Sequence, residues 1–123
     1  LQLGGASFVA TTGIGYGSNG GTVTQITDKS TAVTLNKPCG EIITNAAALG
    51  AGAQVAFQLN STAIGVNDCV RVWRKSGGTN NAYRIETDRV QAGLVVLRIT
   101  NYSAGSLSEA LTLGFAVYKA VIA

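Results

Sequence analysis

The stretch Gly105-Ser-Leu-Ser-Glu-Ala-Leu-Thr-Leu-Gly-Phe-Ala-Val-Tyr-Lys-Ala-Val-Ile-Ala123 decides how the rest of the chain is read. Leu111, Leu113, Phe115 and Val117 recur at every second residue, while Thr112, Gly114, Ala116 and Tyr118 occupy the alternate positions. That period of two belongs to a strand with one buried face. A strand this apolar, left with free edges, is a template for aggregation. It is therefore expected to be central in its sheet, with the rest of the chain supplying a neighbour on each side.

Working outward, the remaining strands follow at the short spacing of an all-β domain. Thr22–Thr27, Ala32–Leu35 and Gly40–Thr44 are short strands separated by the turns Asp28-Lys-Ser-Thr31 and Asn36-Lys-Pro38. Residues 45–53 are rich in Ala and Gly, and Gly50 and Gly52 keep them a loop. Gln54–Asn60 alternates cleanly, with Val55, Phe57 and Leu59 inward. Asp68–Lys75 follows, and Gly77-Gly-Thr-Asn-Asn81 predicts a hairpin into Tyr83–Val90. Gln91-Ala-Gly93 then turns into Leu94–Asn101, whose Val95, Leu97 and Ile99 point inward. With the terminal strand this makes about eight, and the predicted fold is a single-domain, all-β, jelly-roll-like antiparallel β-sandwich over residues 22–123. Residues 1–21, rich in Gly and Ser, are expected to be an extended arm that gains order by lying on something else.

Composition agrees and narrows the chemistry. The chain has 123 residues, enough for one core. Only 12% are charged, 46% are apolar, and Gly occurs 16 times. With no His and only six carboxylates, the usual general bases and metal ligands are scarce. No enzyme, no cofactor and no metal site is expected. Nine scattered basic residues and a net charge of +3 do not make a nucleic-acid arm. No apolar run approaches the roughly 18 residues of a membrane span, so a soluble chain with neither nucleic-acid nor membrane partners is expected. Leu1-Gln-Leu-Gly-Gly lacks the basic and apolar regions of an export signal, and the absence of an initial Met leaves room for an upstream part.

Four groups of residues invite a chemical reading. Gly15-Tyr-Gly17-Ser-Asn-Gly20 has the spacing of a dinucleotide fingerprint, but a strand-like segment follows it where the fingerprint needs a helix. Glu86 and Asp88 share a strand face at roughly 6–7 Å, a spacing a glycosidase uses; with Arg84 they are better read as a solvated face. Cys39 and Cys69 sit at strand starts and are read as two buried thiols rather than a disulfide. Arg71, Trp73 and Lys75 share one strand face, set against Arg84 across the predicted hairpin. For this patch a subunit interface is preferred over an ordinary half-buried Trp, and that over a ligand platform. Asn60-Ser-Thr62 and Asn101-Tyr-Ser103 carry glycosylation spacing and are read as turns that bond their own backbone.

Three segments carry a resemblance. Gly20-Gly-Thr-Val-Thr-Gln25, Lys29-Ser-Thr-Ala-Val-Thr-Leu-Asn-Lys-Pro-Cys-Gly-Glu-Ile42 and Gly105-Ser-Leu-Ser-Glu-Ala-Leu-Thr-Leu-Gly-Phe-Ala-Val117 resemble small β-sandwich virion proteins of tailed bacteriophages. The resemblance runs from Gly13 over nearly the whole chain. It implies a structural protein of the particle, foremost a capsid decoration, or cement, protein. Such a protein sits on the capsid surface of the virion, is assembled in the host cytoplasm, binds the major capsid protein and self-associates, with a homotrimer expected from capsid symmetry. The alternative is a tail fibre or tailspike domain binding host-surface carbohydrate. The motifs define no functional residues; aromatic and apolar character nominates Phe8, Val9, Ile14 and Tyr16 in the arm, with Trp73 and Tyr118, as contact residues.

Overall fold

The computed structural model describes residues 15–120, which contain eight strands and no helix. The strands are β1 (Thr22–Thr24), β2 (Val33–Thr34), β3 (Cys39–Ile43), β4 (Gln54–Asn60), β5 (Cys69–Ser76), β6 (Tyr83–Gln91), β7 (Leu94–Asn101) and β8 (Thr112–Tyr118). They form two four-stranded sheets, ordered β1-β3-β8-β5 and β2-β4-β7-β6. The terminal strand β8 is central, paired with β3 on one side and β5 on the other, as its alternation requires. The core lies between β8 and β7, where Leu111, Leu113, Phe115 and Val117 meet Val95, Leu97 and Ile99, with Ile42, Phe57 and Leu59 filling in around them. Full burial of each such side chain contributes roughly 1.5–3 kcal/mol.

The strands are not all antiparallel, as the sequence reading had them. β1 runs parallel to β3, and β2 parallel to β4. The chain changes sheet at each of its first connections, so next-but-one strands become neighbours pointing the same way. β1 and β2 are also shorter than Thr22–Thr27 and Ala32–Leu35, because the chain leaves the sheets early. Gln25 is buried and its amide is spent on the loops, donating to the carbonyls of Lys29 (3.0 Å) and Thr31 (2.9 Å) while its oxygen accepts from Asn45 N–H (3.0 Å).

A second correction concerns the expected hairpin at Gly77–Asn81. The turn is present, with Gly77, Gly78 and Asn81 all at positive φ, but it carries the chain from one sheet to the other. β5 pairs with β8, and β6 with β7. A Cβ at Gly78 would run into the side chains of Leu111 and Tyr83, so this residue must be glycine both for its φ of 76° and for space. Arg74 holds the crossing, its guanidinium donating to the carbonyl of Gly77 and to Asn80 Oδ1 (2.8 Å). The turn Gln91-Ala-Gly93, by contrast, does join hydrogen-bonded neighbours, with Gln91 opposite Leu94.

The far end of the sandwich is closed by Asn101, which is fully buried. Its amide donates to the carbonyls of Leu49 (2.8 Å) and Gly105 (2.9 Å), and its oxygen accepts from Ser103 N–H (2.9 Å). The glycosylation spacing at Asn101 is thus a turn bonding its own backbone, as expected.

Candidate functional site

The outer face of the β1-β3-β8-β5 sheet carries the residues of interest, and strand register places them. Thr22 lies opposite Glu41, Glu41 opposite Gly114, and Gly114 opposite Trp73, so these four form one row across the sheet. Gly114 is where the row dips. A Cβ built there would fall within the Trp73 indole, whose Nε1 (2.7 Å) and Cζ2 (2.5 Å) flank an even closer Cε2. A ring approached through its edge would place Nε1 and Cζ2 nearest instead, so the indole turns its face to the strand. Its other face looks outward, and Trp73 is 40% exposed.

Beside the indole, Lys75 Nζ and Glu41 Oε1 form an ion pair of 2.6 Å across β8. Both side chains are substantially exposed, so the pair adds little stability; its effect is to hold a donor and an acceptor beside the ring. The hollow so formed measures about 440 Å³ and is floored by backbone, with Gly20, Gly21, Gly40 and Gly114 among its lining residues. The segment before β1 closes on β3 there, Glu41 N–H donating to Gly21 O at 2.9 Å.

Two other nominated residues fall along the same central strand. The Tyr16 hydroxyl donates to the Val117 carbonyl, tying the arm to the end of β8. Tyr118, the next residue, is 53% exposed and lies opposite Cys69. Phe8, Val9 and Ile14 lie outside the described residues. Tyr118, Cys69 and Arg71 also line a second, wider hollow of about 650 Å³ at the seam between the sheets. Thr87 of β6 closes that seam by donating to Val70 O of β5 at 2.7 Å.

Arg84 does not join Trp73. It belongs to the other sheet, where its guanidinium sits over the Tyr102 ring at 4.8 Å. On that sheet Glu86 lies opposite Arg98, which pairs with Asp88 at 3.0 Å, so these carboxylates form a charge-compensated face. The cysteines also depart from expectation. Cys39 is half-buried and Cys69 exposed, because their register with Ala116 and Tyr118 puts both on the outer face. Among the described residues no group of three or more His, Cys, Asp or Glu is placed to hold a metal ion.

One polar cluster escaped the sequence pattern. Lys29, read only as a turn residue, is 97% buried, and its ammonium donates to the carbonyls of Asn45, Ala47 (2.8 Å) and Glu109 (2.7 Å). Its burial lowers its pKa. The Glu109 carboxylate accepts from Tyr83 OH (2.9 Å) and from Thr79 N–H (3.1 Å), hydrogen bonds that hold its pKa down. Burial, reinforced by this carboxylate, pushes the Tyr83 phenol up to about 12. No spacing signal announces this cluster, since its members come from five separate loops and strands. No protein-family model, no curated protein and no solved structure matches the chain.

Proposed function

We propose that this protein is a non-enzymatic structural component of a virion, a capsid decoration protein that binds the head shell and stabilises contacts between capsomers. The resemblance of Gly20–Gln25, Lys29–Ile42 and Gly105–Val117 to small phage β-sandwich proteins supports the particle. The observation that carries the mode of attachment is the Tyr16 hydroxyl bound to the Val117 carbonyl. It anchors the arm at the end of β8, on the sheet whose outer face presents Trp73 and Tyr118. A segment anchored there, beside exposed aromatic residues, can extend the contact with a neighbour, with large rings supplying most of the energy. Its partners are the major capsid protein and further copies of itself, as trimers at local three-fold positions.

The test is the copy number of the chain per purified particle, measured by quantitative mass spectrometry against the major capsid protein. Hundreds of copies in a simple ratio to the capsid protein are expected. A few copies to a few tens would overturn the decoration reading in favour of a tail fibre or tailspike domain. Absence from particles would overturn both.

A further inference from the structure

We propose that the hollow beside Trp73 is a saccharide subsite, which takes one pyranose ring stacked on the outer face of the indole with its hydroxyls bonded to Glu41 and Lys75. The inference goes beyond the decoration reading and stands wherever in a particle the chain is placed.

The argument starts with the platform. Gly114 lacks a side chain, so the indole lies face-down on β8 and is held there while its opposite face meets solvent. A ring fixed in this way binds a flat apolar surface with little further loss of freedom. Next to it the charges are arranged as a matched pair. The Glu41 carboxylate only accepts hydrogen bonds, the Lys75 ammonium only donates, and they stand 2.6 Å apart. Adjacent hydroxyls of a sugar, each both donor and acceptor, meet that pair in either order. Thr22, in the same row across β1 and β3, adds a hydroxyl at the rim.

The same features disfavour other small ligands. A phosphate or nucleotide needs unpaired cationic groups, whereas Lys75 is committed to Glu41 and the carboxylate repels an anion. A nucleobase bound by stacking gains most where several rings act in series, and here only Trp73 presents one, the ring of Phe115, which also borders the hollow, being buried in the core. A pyranose has one apolar C–H face and a rim of hydroxyls, which is what a single platform beside a donor–acceptor pair accommodates. At about 440 Å³ the hollow lies within the range of small-ligand clefts, about 300–1,000 Å³. It is shallow, so affinity for one ring is expected to be about millimolar.

The chain contains one tryptophan, which makes its fluorescence a reporter of this site alone. Purified full-length protein is titrated with methyl α-glucoside, methyl α-galactoside, N-acetylglucosamine and maltotriose, following Trp emission, and binding is repeated by saturation-transfer NMR. At least one of these sugars is expected to give a saturable change. Trp73→Ala is expected to abolish the NMR signal, and Glu41→Gln, an isosteric change at a partly exposed position, to weaken binding about tenfold with the circular dichroism spectrum unaltered. The Glu41 variant keeps the test valid if Trp73→Ala fails to fold. The proposal is overturned if none of the four sugars gives a saturable response, or if binding by Glu41→Gln equals that of the parent protein.

Discussion

The Lys29 ammonium donates to the main-chain carbonyl of Glu109 at 2.7 Å, while the carboxylate of the same glutamate gathers Tyr83 and Thr79. Glu109 thus links the loop after β1, the crossing turn after β5 and the approach to β8. Because the Lys29 side chain satisfies three partly buried carbonyls, Lys29→Met, which matches its length but donates nothing, leaves them without that donor. A loss of about 2–4 kcal/mol in urea unfolding is expected. A loss within experimental error would show that the carbonyls find other partners.

The same cluster shapes the pH dependence of stability. The folded pKa of Glu109 lies below its ordinary 4.5, first through the Tyr83 hydrogen bond. Its contribution is therefore present above pH 4.5 and is lost as pH falls through the lowered folded value. Tyr83 works in the opposite sense. Its folded pKa is raised from 10.0 to about 12, so its contribution is complete below pH 10 and is lost as pH rises through 12. Glu109→Gln is expected to flatten the acid limb of a stability–pH profile measured by thermal unfolding. Ultraviolet titration of Tyr83→Phe against the parent should remove one phenol that ionises near pH 12.

Gly114→Ala places a methyl group where the Trp73 indole lies. The ring must lift off the strand, because the alternative is displacement of the central strand of the sheet. A red shift of Trp emission is expected, together with a loss of about 1–3 kcal/mol in the same unfolding assay. Unchanged emission and stability would mean that the indole does not rest on β8.

Cys39 lies opposite Ala116 on one side of β8, and Arg71 lies opposite Ala116 on the other, with Cys69 two residues further along. Two strand spacings, about 9.5 Å, separate the cysteine-bearing strands, beyond the roughly 7 Å that a disulfide spans between Cα atoms. Mild oxidation is therefore expected to yield no internal disulfide by intact mass, and iodoacetamide to label exposed Cys69 before Cys39. A mass two hydrogens lower, with the monomer retained on a non-reducing gel, would contradict the register.

The period-two runs Gln54–Asn60, Leu94–Asn101 and Leu111–Tyr118 were legible in the sequence because side-chain alternation is local: each residue's face follows from its neighbours along one strand. By itself, then, the sequence determined the all-β class, the central position of β8 and the inward residues Phe57, Leu97 and Phe115. Partnership between strands is not local. Gly77–Asn81 has the residues of a tight turn whether the next strand pairs with the last or crosses to the opposite sheet; only the tertiary structure shows the crossing, with Gly78 packed against Leu111 and Tyr83. The parallel pairs of β1 with β3 and of β2 with β4 follow from other crossings of this kind, at the first three connections of the chain. Trp73 was visible as an aromatic residue on an exposed face, but the hollow beside it exists because Gly114 and Glu41, 41 and 32 residues away in the chain, are its neighbours across the sheet. The burial of Lys29 left no mark at all on the local pattern, since an ammonium among carbonyls is stable only once two distant loops, one carrying Asn45 and Ala47 and the other Glu109, have closed around it.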